Sequence, residues 1–290
     1  MSRILHQTIE LIREQLGSEL QTIRVERAVV GLFFTGIKLS TGQAGACATP
    51  VKEIPEAVCC PSSAMAMPFP GKLRGSHADR LLDEALGQTG IRRAIGIAAL
   101  NALAQLVAER RPHQPFDVVD DLDAFAGGDV KPDDKVVVVG AFTPFLRELR
   151  RIGATHWVLE KDPSTLKPHE MPHYRPAEMA PQIVPQADVL FITGTTVLND
   201  TLDDLLALAP SSARIVVVGP TATMVPDAFF EAGCDVLGTI RITEPDQFLD
   251  VLAEGGSGYH FFGKSARKIL LRRHALAQKP ELQPASLAHS

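Results

Sequence analysis

A chain of 290 residues suits one large or two ordinary domains, and an apolar fraction of 45% is enough to fill real cores. A net charge of -5, with no basic stripe interleaved with aromatics, gives no reason to expect a nucleic-acid surface. No apolar run approaches the length of a membrane span. Arg3, Glu10, Arg13 and Glu14 interrupt the first apolar stretch, so no signal peptide is expected. Cys47, Cys59, Cys60 and Cys234 lack zinc-site spacing, and vicinal Cys59-Cys60 is poorly placed for a disulfide; the expectation is a reduced, cytoplasmic protein.

Ile4, Leu5, Ile9, Ile12 and Leu16 recur at helical spacing before Gly17 and predict an amphipathic first helix. Residues 28–40 and 46–51 are β-rich on either side of Thr41-Gly-Gln-Ala-Gly45 and predict an antiparallel hairpin. Residues 59–71 form a loop rich in soft sulfur, in which Cys59 and Cys60 are low-ranking candidates for a soft metal such as Cu(I). No histidine or carboxylate lies in that run, so packing as small apolar groups is the preferred reading. Helices follow at 76–86 and 91–110. The second is nearly uncharged and is expected to be buried on most sides, with Asn101 a core amide bonded to backbone. Residues 111–134, with Pro112, Pro115, Pro132 and several aspartates, read as a solvated linker. Asp120-Asp121-x-Asp123 lacks the glycine and terminal glutamate of a calcium loop.

From Lys135 the grammar changes. The valine run 135–139 breaks at Gly140 into a helical pattern, and a second apolar run, 157–160, ends in Glu160, as in one βαβ unit of a parallel sheet. Glu160 stands at the distance from Gly140 where dinucleotide-binding folds place a ribose-binding acid. Phe142 and Phe145 occupy the later glycine positions of Gly-x-Gly-x-x-Gly, so the loop is shaped for a nucleoside-like or other small ligand rather than a dinucleotide. His169 and His173 lie in a Pro-rich connection where Pro168 and Pro172 oppose a helix, and read as surface loop rather than metal ligands. A strand at 188–192 runs into Thr193-Gly-Thr-Thr-Val-Leu-Asn199. One at 214–218 runs into Gly219-Pro-Thr221, and a fifth spans 234–242 before a basic tail helix at 264–273. The alternation predicts an α/β fold with a doubly wound parallel sheet of order 3-2-1-4-5 and three strand-end loops lining one crevice. The candidate ligand-binding residues are Gly140, Ala141, Phe142, Glu160, Thr193, Gly194, Thr195, Thr196, Asn199, Gly219, Pro220 and Thr221. No nucleophile–base–acid arrangement is legible from spacing, so no catalytic residue is assigned.

Val139-Gly-Ala-Phe-Thr-Pro144, Glu160, the Thr193–Asn199 motif and Gly219-Pro-Thr221 resemble the pattern of the bacterial and archaeal putative heavy-metal chelation family, a Rossmann-like domain of unknown function. Upstream, Leu73-Arg-Gly75 and Ile97-Ala-Ala-Leu-Asn-Ala102 are similar to segments of that family's companion domain, which resembles the N-terminal domain of enolase. The resemblance implies a smaller α+β domain at 1–112, a Rossmann-like ligand-binding domain at 117–275, a disordered tail at 276–290 and a pocket between the two domains. It also implies glycine where Asp200 stands. The implied function is binding or handling of a metal or metal chelate, with a transition metal or an adenosyl nucleotide as the candidate cofactor. Two alternatives stand beside it. One is a transferase using a nucleoside-type cofactor such as S-adenosylmethionine, with Glu160 on the ribose; the other is a non-catalytic metabolite-binding regulatory module. The expected partner is a small molecule or metal chelate, with no nucleic acid and no membrane; homo-oligomerisation is left open.

Overall fold

The computed structural model describes residues 2–53, 67, 69–111 and 116–274. Cys59, Cys60 and the tail at 276–290 lie outside the described residues. The N-terminal half opens with α1 (Arg3–Leu16), whose five periodic apolar residues are all buried. Ser2 Oγ accepts from the Leu5 amide at its start, and Gly17, at φ +51°, ends it. β1 (Val25–Val30), β2 (Phe34–Leu39) and β3 (Ala44–Ala48) form an antiparallel sheet, one strand more than the expected hairpin. α2 (Asp79–Ala85) and α3 (Ile91–Arg110) complete this half. α3 lies almost on the backbone of β3 because residue 45 is glycine: a Cβ there would sit 2.3 Å from the Ala98 carbonyl oxygen and the Ala102 nitrogen. Contrary to expectation, α3 is long and apolar enough to cross a membrane by length and composition, yet 83% of that window is buried inside the protein.

The second half runs β4 (Phe116–Asp120), α4 (Ala124–Gly127), β5 (Lys135–Val139), α5 (Thr143–Ile152), β6 (Thr155–Glu160), β7 (Tyr174–Pro176), α6 (Ala180–Ile183), β8 (Val189–Thr193), α7 (Thr195–Leu198), α8 (Leu202–Leu208), β9 (Arg214–Val218), α9 (Asp227–Glu231), β10 (Val236–Ile242), α10 (Pro245–Ala253), α11 (Gly258–Phe261) and β11 (Ala266–Arg273). Its eight strands lie in the order β4-β11-β10-β9-β8-β5-β6-β7, parallel from β5 to β10 and antiparallel at β10–β11 and β11–β4.

Counted from β5 through β10, the order is 3-2-1-4-5-6, that of a Rossmann-like sheet. The strand assignment behind the expected order needs correction. The strand at 188–192 is β8 and lies directly against β5, while the place outside β6 belongs to β7. β7 has three residues, two of them Arg175 and Pro176, so no apolar run announces it. The tail at 264–273 is likewise not a helix: β11 pairs with β10 along its length and buries Ile269 and Leu271 on one face and Leu270 on the other. The expected linker at 111–134 contains β4, which pairs with β11, and α4.

The two sheet faces bury alternate residues. Val136 and Val138 enter a core with Phe145 and Phe191, whereas Val137 enters a core continuous with α1 and α3 of the N-terminal half. Phe191 is fully buried, stacked on Phe125 at 5.4 Å between centroids and edge-on to Phe145 at 5.1 Å.

Buried polar contacts join the halves. Asn101 Nδ2 donates to the carbonyls of Ala46 (2.7 Å) and Thr221 (3.0 Å), and the Ala48 amide donates to Thr221 Oγ1 (2.9 Å). Arg93, near the start of α3 and only 3% exposed, donates to Asp200 Oδ1 (3.0 Å) and to the Val197 carbonyl (3.3 Å). Asp200 has φ +61°, a left-handed conformation that glycine adopts without cost and Asp tolerates, which accounts for the glycine implied at this position. Burial raises the Asp200 carboxyl, but the Arg93 guanidinium outweighs it and holds the group below its ordinary value.

Phe191→Ala should cost about 3–5 kcal/mol, read from guanidinium melts. Asp200→Asn should cost about 2 kcal/mol at pH 7: a broken buried pair costs more, but this carboxylate is about one-third exposed. Because the folded value lies below the unfolded one, the ion pair contributes fully above the ordinary 3.8 and is lost as pH falls through the folded value. The gap between wild-type and Asp200→Asn stability should therefore narrow in acid; a gap that widens would refute the assignment.

Candidate functional site

The strand order reverses between β5 and β8, so the Gly140 and Thr193 loops leave the sheet side by side. Such a crevice is where doubly wound sheets take ligands. Gly140, at φ +101°, turns the chain sharply, and a Cβ there would crowd Thr193 at 3.1 Å. Its amide donates to the Leu159 carbonyl (2.9 Å), and the Phe142 amide donates back to the Gly140 carbonyl (3.1 Å). Two of the three amides that could have cradled a phosphate are thus committed within the protein. The Phe142 ring stacks on Phe145 at 5.0 Å and joins the core on the α5 side of the sheet, away from the crevice.

Glu160 ends β6. One of its oxygens, Oε1, accepts from the Asp162 amide at 3.0 Å; the other accepts nothing among the described residues. In the Thr193 loop the hydroxyls serve different ends. Thr196, nearly buried, donates to the Thr193 carbonyl (2.7 Å) and holds the turn. Thr193 Oγ1 accepts from the Thr195 amide (3.3 Å) and donates to Thr195 Oγ1 (3.2 Å). That leaves the Thr195 hydroxyl proton, and the half-buried Asn199 side-chain amide, without a bond among the described residues.

These groups meet around a cavity of about 440 Å³, within the range for small-molecule sites. Gly140, Ala141, Glu160, Thr193, Thr195, Thr196 and Asn199 line it, as do Lys161, Thr201 and Asp204, which the sequence reading missed. Leu159, Leu205 and Leu208 give it an apolar wall. Asp204, in the first turn of α8, was hidden because an acid there reads as an ordinary complement to the helix dipole. Gly194 packs behind, where a Cβ would come within 3.1 Å of the Ala222 nitrogen. Gly219, Pro220 and Thr221 do not reach the cavity: their loop is docked on β3 and α3 through Ala48 and Asn101. This cavity is walled by residues of the second half; hollows lined by both halves, as the resemblance implies, lie elsewhere, one between Ser2, Arg93 and Asp200. On the Glu160 side the N-terminal half contributes Lys52, whose ion pair pulls half-buried Asp162, two residues past Glu160, down to about 2.

Among the described residues, no group of three or more His, Cys, Asp or Glu could hold a metal ion. His173 does not pair with His169; its ring stacks on buried His156 at 3.8 Å between centroids, and each Nδ1 meets a backbone carbonyl. Burial, then the adjacent His173 and Arg150, lowers the His156 pKa. Cys47 and Cys234 are buried, and burial pushes the Cys47 thiol far up, leaving it protonated and unreactive.

Two family models, both described as putative heavy-metal chelation, match residues 123–271 and 13–104. An uncharacterized protein from Methanocaldococcus jannaschii is 30% identical over 180 residues, which cover 61% of this chain and 65% of that protein, just under two thirds of its length. A protein of unknown function from the same family in Pyrococcus horikoshii has a solved structure with a TM-score of 0.72 at 18% identity, covering 93% of this chain and 99% of that one. Another, from Desulfitobacterium hafniense, gives 0.69 at 22% identity, covering 92% and 98%. At these identities the structures speak for the fold. The family itself is carried by the first model, which spans just over half of the sequence and is joined by the second over the N-terminal half: the chain belongs to the family described as putative heavy-metal chelation.

Proposed function

We propose that the protein binds a small, hydroxyl-bearing organic ligand, either a metal chelate or its organic chelator, in the cavity between the β5, β6 and β8 strand ends. One observation carries this reading: the Glu160 carboxylate, the Thr195 hydroxyl and the Asn199 amide converge on that cavity with bonding capacity to spare. A carboxylate oxygen accepts from hydroxyls, and a threonine proton with an amide supplies the complementary donors. The apolar leucine wall would take a flat or aliphatic body. Because the described residues offer no protein cluster for a bare metal, a metal would arrive inside its chelator.

A second reading, a nucleoside-type cofactor such as S-adenosylmethionine, is favoured by the place of Glu160 at the tip of the second strand of a 3-2-1-4-5-6 sheet, where an acid meets ribose hydroxyls. The committed Gly140 and Phe142 amides favour a nucleoside over a nucleotide diphosphate.

Thermal-shift and calorimetric titrations with adenosine, S-adenosylmethionine and hydroxyl-rich metal chelates test both. A ligand at a hundred times its dissociation constant should add about 2.7 kcal/mol to stability. Glu160→Ala should weaken binding roughly tenfold to a hundredfold, as expected for a lost charge-assisted hydrogen bond. If metal copurifies, Glu160→Ala should release metal and organic ligand together. Release of metal alone on Cys59→Ser or Cys60→Ser would move the metal to the cysteines and sink the chelate reading.

A further inference from the structure

The cavity wall from Val197 to Leu205 has two sides. Asn199, Thr201, Asp204 and Leu205 line the cavity, whereas the groups between them are gripped by the N-terminal half. Arg93 donates to the Val197 carbonyl (3.3 Å) and to Asp200 Oδ1 (3.0 Å), and Ser2 Oγ donates to Asp203 Oδ2 (2.8 Å). Asp200 is the pivot. Its left-handed backbone turns its carboxylate to Arg93 while its two neighbours in sequence reach the cavity. Within the segment, the turn is held by short-range backbone bonds, from the Val197 amide to the Gly194 carbonyl (3.0 Å), the Asn199 amide to the Thr195 carbonyl (3.1 Å), the Asp200 amide to the Val197 carbonyl (3.4 Å) and the Thr201 amide to the Thr196 carbonyl (3.0 Å). A four-residue helix such as α7 has little stability of its own, so an outside anchor decides where the turn sits.

We propose that Arg93 is a positioning residue for the strand-end cavity: from the N-terminal half it clamps Val197 and Asp200, and so sets Asn199 and Thr201 against the ligand without touching it. The clamp also makes ligand affinity depend on the docking of the two halves. A guanidinium suits this task because Nη2 donates to both Asp200 Oδ1 and the Val197 carbonyl while Nη1 reaches back to the Gly87 carbonyl (3.4 Å), a planar arrangement that a lysine ammonium on a flexible stem reproduces less well. The inference rests on the ligand site proposed above.

Two readouts separate its failure from the failure of that site. Hydrogen exchange needs no ligand: in Arg93→Met, the amides of Asn199 and Thr201 should lose at least tenfold in protection, while those of Val136–Val138 in β5 keep theirs. Arg93→Lys should recover part of the loss. Adenosine titration is the second readout: Arg93→Met should bind at least tenfold more weakly than wild type, with Arg93→Lys in between. If wild type binds no adenosine, the ligand reading falls in its nucleoside form, and exchange alone decides the clamp. Unchanged protection at Asn199 and Thr201 in Arg93→Met overturns the proposal. So does protection lost equally at β5, because that is global destabilisation rather than positioning; so does unchanged adenosine affinity where wild type binds.

Discussion

A parallel sheet must be buried on both faces, and here the core on one face is continuous with that of another structural half. Val137 and its neighbours on β8 and β9 belong to the same core as α1 and α3, while Val136 and Val138 look the other way onto the phenylalanine cluster. The N-terminal half is therefore not an appendage tethered by a linker. Several of its hydrogen bonds to the second half are at least partly shielded from water and tie strand-end or helix-start loops: Thr221 through Ala48 and Asn101, Asp200 through Arg93, Asp203 through Ser2. Fixing the loops of a doubly wound sheet from outside is what makes the crevice between them a defined cavity.

The contrast between two loops of similar sequence shows how that fixing works. Thr193-Gly-Thr and Gly219-Pro-Thr both follow apolar strands and both carry hydroxyls. One spends its hydroxyls on holding its own turn and keeps a donor over for the cavity; the other gives its threonine oxygen and carbonyls to β3 and α3. Polar residues at a strand end can serve recognition or docking, and only the neighbouring elements decide which. Asp200 repeats the point: as a left-handed residue it could have been glycine, but the carboxylate gives the buried Arg93 a partner.

Much of this was legible in the chain. The valine runs of β5 and β9 and the apolar β8 announce buried strands, and Glu160 and the threonine-rich loop, singled out from sequence alone, line one cavity at the strand ends. What was not legible is what depends on contacts distant in sequence. β7 is too short to carry a period, and β11 looks basic because its charged residues flank three apolar ones that a sheet, not a helix, buries. Phe142 is ambiguous until its stack with Phe145 is seen, and Arg93 is one charge in an apolar helix until Asp200 is brought to it across more than a hundred residues.

The character of α3 has a consequence for how the chain comes into being. By length and composition alone α3 passes for a bilayer span, although most of it is buried inside the protein. Its residues emerge from the ribosome before any strand of the large sheet exists. Yet much of what α3 packs on, the β2–β3 hairpin and α2, precedes it in the chain. The order of synthesis thus lets the helix find protein cover early, and Gly45, which lets the hairpin close directly onto α3, is what brings that cover within contact of the helix backbone.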